Sequence, residues 1–253
     1  MSYRNPFLSA EARAVMAGYP TVPTERKRLI ADFIRALKDT SFWAKADVLY
    51  LLAAPDQAAA IINWKAPGTH NLVASGGLTF APDREVKGNG TSGMLEAAGY
   101  NPAAGGKLMS LNDAMLGCYT RTAASYDGST SRLDLYSGTT GRIQRRSDVS
   151  NFVSARANDG VNIQVAVTSH VGHFSIQRSA STARALYKDG ASIIADAQPS
   201  TTLSNELTVF STGTGNWSDA GLSLAYAGAA IPAGEVEQVN AIFTQYLRSI
   251  GAV

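Results

Sequence analysis

Leu186-Tyr187-Lys188-Asp189-Gly190-Ala191-Ser192-Ile193 decides the fold. Two short β-prone runs meet at an Asp-Gly pair, and both residues tolerate the positive φ that a two-residue hairpin turn demands. The same grammar extends to both sides. Asp127-Gly128 and Asp159-Gly160 are further turn signals. Period-2 alternation shows in Arg132-Leu133-Asp134-Leu135-Tyr136 and in Phe174-Ser175-Ile176-Gln177, where Phe174 and Ile176 share a face. From about residue 70 onward, short β-prone segments alternate with turns, as in a two-sheet sandwich. The predicted strands are 78–80, 94–96, 114–121, 132–136, 141–145, 151–155, 161–168, 173–178, 184–187, 192–195, 206–211 and 221–226.

Outside this region the period changes to 3.6. Ser9 caps a predicted helix over 11–17, ended by Gly18 and Pro20. Pro23-Thr24 opens a second, whose Leu29, Ile30, Phe33, Ile34 and Leu37 form one stripe. A third is expected after Asp39, Thr40 or Ser41, carrying Phe42, Trp43, Val48, Leu49, Leu51 and Leu52 and ending at Pro55, with a short Ala-rich turn over 56–62. Pro232 opens a last helix carrying Val236, Val239, Ile242, Phe243, Tyr246 and Leu247. The expected division is therefore a helical segment over 1–66 and a sandwich with its closing helix over 67–253. Helices this short are not stable alone, so the first segment must pack on the sandwich, a sister chain or another protein.

The bulk numbers agree. With 253 residues, 45% hydrophobic, 17% charged and 23 glycines, the chain suits a core of many short strands and turns. A net charge of +2 is too small for a protein that neutralises nucleic-acid phosphates, so no nucleic-acid partner is predicted. No apolar stretch approaches the ~20 residues of a spanning helix, so no membrane insertion is predicted. Met-Ser-Tyr-Arg-Asn-Pro lacks the apolar core of a signal peptide, so synthesis in the cytoplasm is expected.

Chemistry is sparse. Cys118, the one cysteine, sits in an apolar run and reads as a small buried hydrophobe. His170 and His173 are three apart, on opposite faces of any shared strand, and read as a polar hairpin tip through Gly172. No third ligand is apparent, so no metal or other cofactor is predicted. Arg142, Arg145 and Arg146 read either as a charged edge that discourages sheet-to-sheet association or as a patch for an anionic polysaccharide. Glu206 stands alone on its predicted strand, and no Glu-x-Asp-x-Glu run supplies the paired carboxylates of a glycosidase. No catalytic residue is assigned.

Sugar binding needs an aromatic face flanked by amide, carboxylate or guanidinium groups. Two loops offer that mix: 212–219, with Asn216, Trp217 and Asp219, and 125–132, with Tyr126 and Asp127. The alternative reading of Trp217 is a plug for the end of the sandwich.

Asn63-Trp64, Gly77-Leu-Thr-Phe-Ala-Pro-Asp-Arg84, Gly88-Asn-Gly-Thr-Ser-Gly-Met-Leu95, Tyr100-Asn-Pro102, Leu111-Asn-Asp-Ala-Met-Leu-Gly-Cys-Tyr-Thr-Arg121 and Leu186-Tyr-Lys-Asp-Gly190 resemble a group of phage and prophage proteins. The resemblance lies in style and spacing, covers nearly the whole chain, and includes no catalytic motif. It implies a mainly β fold: an antiparallel concanavalin A-like, laminin G-like jelly-roll sandwich with an N-terminal helical segment and a C-terminal helix. It also implies a virion-associated protein, in a tail fibre, head spike or capsid decoration. Its expected partners are host surface polysaccharide, other virion structural proteins and further copies of itself. A purely structural virion protein and a capsule-degrading glycosidase are the alternatives.

Overall fold

The computed structural model describes residues 8–19, 22–125, 132–145 and 152–253. The helices are α1 (Ala10–Ala17), α2 (Thr24–Lys38), α3 (Phe42–Lys45), α4 (Gln57–Ala60) and α5 (Val236–Ser249). The strands are β1 (Ala46–Leu51), β2 (Leu72–Ser75), β3 (Leu78–Ala81), β4 (Glu85–Gly88), β5 (Met94–Ala97), β6 (Ala114–Thr122), β7 (Arg132–Ser137), β8 (Gly141–Arg145), β9 (Phe152–Ala157), β10 (Ile163–Ala166), β11 (Gly172–Arg178), β12 (Arg184–Lys188), β13 (Ala191–Asp196), β14 (Thr208–Val209) and β15 (Gly221–Gly228).

Among the described residues they form two antiparallel sheets. One runs β13-β12-β11-β6-β15-β4-β3, with β1 also paired to β15; the other runs β10-β9-β8-β7-β14-β5-β2. This is the mainly β, jelly-roll-like sandwich expected from the sequence, with helices at both ends of the chain. The deciding hairpin forms as read. Asp189 and Gly190 both have positive φ (50° and 89°), the combination that matches a tight turn to strand twist.

Alternation along β11 sorts the two faces of the larger sheet. Phe174, Ile176 and Arg178 point between the sheets, where Arg178 Nε donates to the carbonyl of Ala157 on β9. His173, Ser175 and Gln177 point the other way, and Gln177 Oε1 accepts from the Ile231 backbone N–H just before α5. On that outer face Phe42 lies 5.0 Å from Tyr226 and 5.2 Å from Phe243, with Phe243 5.3 Å from the His173 ring. Phe33 and Tyr246 join α2 to α5 at 4.5 Å, and Trp64 packs edge-on to both rings. The N-terminal and C-terminal helices therefore close over one face of their own sandwich. Gly117 makes this closure fit, since a Cβ there would fall 2.1 Å from Cζ of Tyr226.

The structure corrects several expectations. The third helix stops at Lys45, and Val48, Leu49, Tyr50 and Leu51 form β1, paired to β15 from Ala46↔Gly228 to Leu51↔Leu224. Thus the 1–66 segment, expected to be helical, contributes a strand to the sheet. Val48, Leu49, Tyr50, Leu51 and Leu52 are all fully buried, because sheet and helices cover β1 on both faces. A strand buried on both faces shows no alternation and resembles a buried helix in sequence. β2 and β4 are additional to the predicted strands. Asp159-Gly160 is not a simple turn: the positive φ falls on Asn158 (58°), and Asp159 is buried. Asp127-Gly128 lies outside the described residues.

Candidate functional site

Three chain segments meet at the end of the sandwich where β7 begins. Asn89 Oδ1 accepts from the backbone N–H groups of Thr91, Ser92 and Gly93 and fixes the first loop. Arg132 Nη1 donates to the Gly90 carbonyl at 3.3 Å and to the Trp217 carbonyl at 2.9 Å, tying that loop to 212–219. Asp219 accepts from Ser125 through both oxygens, from its N–H at 2.9 Å and its hydroxyl at 2.5 Å. Burial pushes the Asp219 carboxyl up, but these bonds and Arg132 push it down and prevail. Ser218 is buried and anchors the loop from within.

On this frame the Trp217 side chain is half-buried, and Asn216 is exposed. Asn216 holds a positive φ of 53°, a conformation that Asn tolerates better than most side chains. Trp217, Asn216 and Asp219 thus lie on one braced loop, with Asp219 tying it to Ser125 rather than standing free. Tyr126 and Asp127 lie outside the described residues, although the chain leading to them is held through Ser125.

A second constellation lies on the outer face of the smaller sheet and was not assembled from the sequence. Cross-strand register puts Glu96 beside Thr208, Thr208 beside Tyr136, Tyr136 beside Arg142, and Arg142 beside Arg156. The row crosses β5, β14, β7, β8 and β9, about 19 Å at the usual strand spacing. Arg142 Nη2 and Arg156 Nε donate to the same acceptor, Asn162 Oδ1, at 2.9 and 2.8 Å. Arg156 Nη1 also donates to the Thr139 carbonyl at 2.8 Å. Burial, then the neighbouring Arg156, pull the Arg142 guanidinium down to about 10. Burial raises the Tyr136 phenol, with Glu206 adding to the shift and both arginines opposing it. Burial and Glu96 also raise the Glu206 carboxyl, so Glu206 is not as isolated as its strand suggested. Of the three clustered arginines, Arg142 lies on this face. Arg145 pairs in backbone register with Arg132. Arg146 lies outside the described residues.

A second cross-strand arginine pair, Arg178↔Arg184 on β11 and β12, provides an internal contrast. Both side chains are fully buried and bridged by Asp159, at 2.8 and 2.6 Å, with Asp196 pairing Arg184 at 2.7 Å. Arg178 also donates to the carbonyls of Ala157, Ser181 and Gln198. That pair is neutralised and locked, as a buried charge requires.

The histidine reading also changes. His173 is not at a hairpin tip but 2% exposed on β11, with Nε2 2.9 Å from the Tyr226 hydroxyl. Burial pulls its imidazole down to about 4. Cys118 is fully buried in the core.

Neither protein-family models nor curated proteins match this chain. Solved structures do. A botulinum neurotoxin type C structure, described through cell entry dependent on two ganglioside molecules, superposes with a TM-score of 0.59 at 11% identity, over 81% of this chain and 52% of the other. The binding domain of botulinum neurotoxin DC in complex with rat synaptotagmin II gives 0.58 at 10% identity, over 81% and 52%. The same domain in complex with SialylT gives 0.55 at 12%, over 80% and 51%. The likeness is one of fold. The chain spans about half the length of these structures.

Proposed function

We propose that this chain is a non-catalytic carbohydrate-binding sandwich on the outside of a phage or phage-like particle. There it contacts host surface polysaccharide, in several copies and beside other virion proteins. The observation that carries the binding reading is the half-buried Trp217, held with exposed Asn216 on a loop braced by Arg132 and Asp219. A braced aromatic with polar neighbours offers a stacking face and hydrogen-bond partners without a large ordering cost. Binding domains described with gangliosides or SialylT share the fold, which favours the same use here. The particle location is supported by the sequence resemblance. Repetition on a particle would convert weak single sites into firm attachment.

The test is binding of the purified protein, monomeric and artificially tetramerised, to arrayed bacterial surface polysaccharides and sialylated glycans. Binding to a subset, weakened about tenfold or more by Trp217→Ala, is expected; tenfold corresponds to about 1.4 kcal/mol. Absence of binding by the tetramer would overturn the proposal and leave a structural particle protein.

A second reading, glycoside hydrolysis, has one observation in its favour: Glu206 is raised by burial and by Glu96, as a general acid must be. Release of reducing ends from a bound polysaccharide, abolished by Glu206→Gln, would establish it.

A further inference from the structure

We propose that the outer face of the smaller sheet carries a second binding site, formed by Arg142, Arg156 and Tyr136, for the carboxylate or sulfate of an acidic saccharide. The anion site stands on its own geometry; that the anion belongs to a saccharide rests on the carbohydrate-binding reading above.

Two observations converge. First, like charges directly opposite one another on a sheet are destabilising unless something neutralises them. In the Arg178–Arg184 pair Asp159 does so. In the Arg142–Arg156 pair, among the described residues, no carboxylate forms an ion pair with either group, and Asp159 favours the charged form of Arg156 only from a distance. The neutral oxygen of Asn162 is the acceptor they share, and Arg156 Nη1 also donates to the Thr139 carbonyl; among the described residues Arg142 Nη1 and Arg156 Nη2 have no acceptor. Because both forks reach one oxygen atom, one carboxylate or sulfate placed beside it can bridge them with charge-assisted bonds. Burial and mutual repulsion already weaken the charged form of Arg142, a cost that a bound anion would relieve.

Second, the surroundings suit a sugar bearing that anion. Tyr136 lies beside Arg142 across the strand pair, and Glu206 and Glu96 lie beyond it on the same face. Carboxylates repel the ligand's acid group but accept hydrogen bonds from its hydroxyls. A saccharide would therefore be oriented with its anion over β8 and β9 and its hydroxyls toward β14 and β5. Arg132 and Tyr136 bracket about 13 Å along β7, so a polymer could reach both this site and the Trp217 loop.

The experiment follows the side-chain Nε–Hε resonances of Arg142 and Arg156 in the full chain at physiological salt. Probes are inorganic sulfate, methyl galacturonate and neutral methyl galactoside. Saturable shifts are expected with sulfate and galacturonate and none with galactoside. Arg142→Gln and Arg156→Gln should each weaken galacturonate binding at least tenfold. Arg142→Lys, which keeps charge but loses the fork, should recover only part. No saturable shift with sulfate or galacturonate overturns the site, whatever Trp217→Ala does to polysaccharide binding. Shifts with sulfate alone retain the anion site and overturn its saccharide ligand. Equal shifts with galacturonate and galactoside overturn the anionic specificity.

Discussion

The outer face of the larger sheet and that of the smaller sheet come from the same alternating strand grammar and meet opposite fates. On the larger sheet, α2, α3 and α5 seal Tyr226 and His173 beneath a cluster of aromatic rings, and Gln177 is capped by the Ile231 backbone. On the smaller sheet, Arg142 and Arg156 remain partly exposed beside Glu206 and Glu96. Alternation tells which residues share a face. It does not tell which face will be covered, because that depends on helices remote in sequence. If the covered face contributes stability and the open face the proposed recognition, substitutions on the two should separate cleanly.

The covered face should show the largest effect on stability. Phe243 is fully buried and touches Phe33, Phe42, Tyr226 and His173. Phe243→Ala should destabilise by about 3–5 kcal/mol, because aromatic contacts vanish and the gap between helix and sheet cannot close fully. Urea unfolding measures it, with the slope against denaturant unchanged. A loss below about 1 kcal/mol would mean that α5 is only loosely seated on the sheet, and the contrast between faces would fall.

His173 gives the covered face a pH signature. Its folded-state value is about 4, below the ordinary imidazole value of 6.5, chiefly through burial, with Asp189 and Asn240 opposing the shift. The unfolded chain therefore binds a proton that the folded chain refuses between about pH 6.5 and 4. Stability from this group is full above pH 6.5 and falls as the pH drops, by about 3 kcal/mol in all if the shift is complete. His173→Gln can keep a hydrogen bond to Tyr226 but cannot titrate. The wild-type-minus-variant stability difference should fall across this window, and a flat difference would show that water reaches the imidazole.

Much of this architecture was legible in sequence, for reasons that differ by element. The Asp189-Gly190 hairpin was visible because its turn chemistry and its flanking strands are local. α2 and α5 were visible because one-sided burial imprints a stripe. β1 was hidden because both of its faces are buried, which removes the alternation that marks a strand. The roles of His173 and Asp159 were hidden because each is set by a distant partner: α5 for the first, Arg178 and Arg184 for the second. At the candidate site, Trp217 and Asn216 stood out by composition, and Arg142 by its neighbours Arg145 and Arg146. Its true companion, Arg156, is opposite it only through the register of β8 and β9, which no local pattern encodes.

That pair supplies the smallest expected change in stability, and the one that bears most on function. If Arg142 and Arg156 were structural, removing either should destabilise the chain as removing a partner from the Arg178–Asp159–Arg184 cluster would, by about 3–5 kcal/mol. Their arrangement argues otherwise: two like charges face each other, and the bonds that hold them go to one amide oxygen and one backbone carbonyl. Arg142→Gln should therefore leave stability within about 1 kcal/mol of the parent, and relief of repulsion pushes the change toward stabilisation. Parallel urea titrations of Arg142→Gln, Arg156→Gln and Asp159→Asn, each in low and moderate salt, decide the matter. Salt screens the repulsion and should narrow any advantage of the Arg142 and Arg156 variants, while leaving the large loss in Asp159→Asn nearly untouched because that cluster is buried. A loss of several kcal/mol in Arg142→Gln would make the open face structural like the covered one and remove the ground for reading it as a recognition surface.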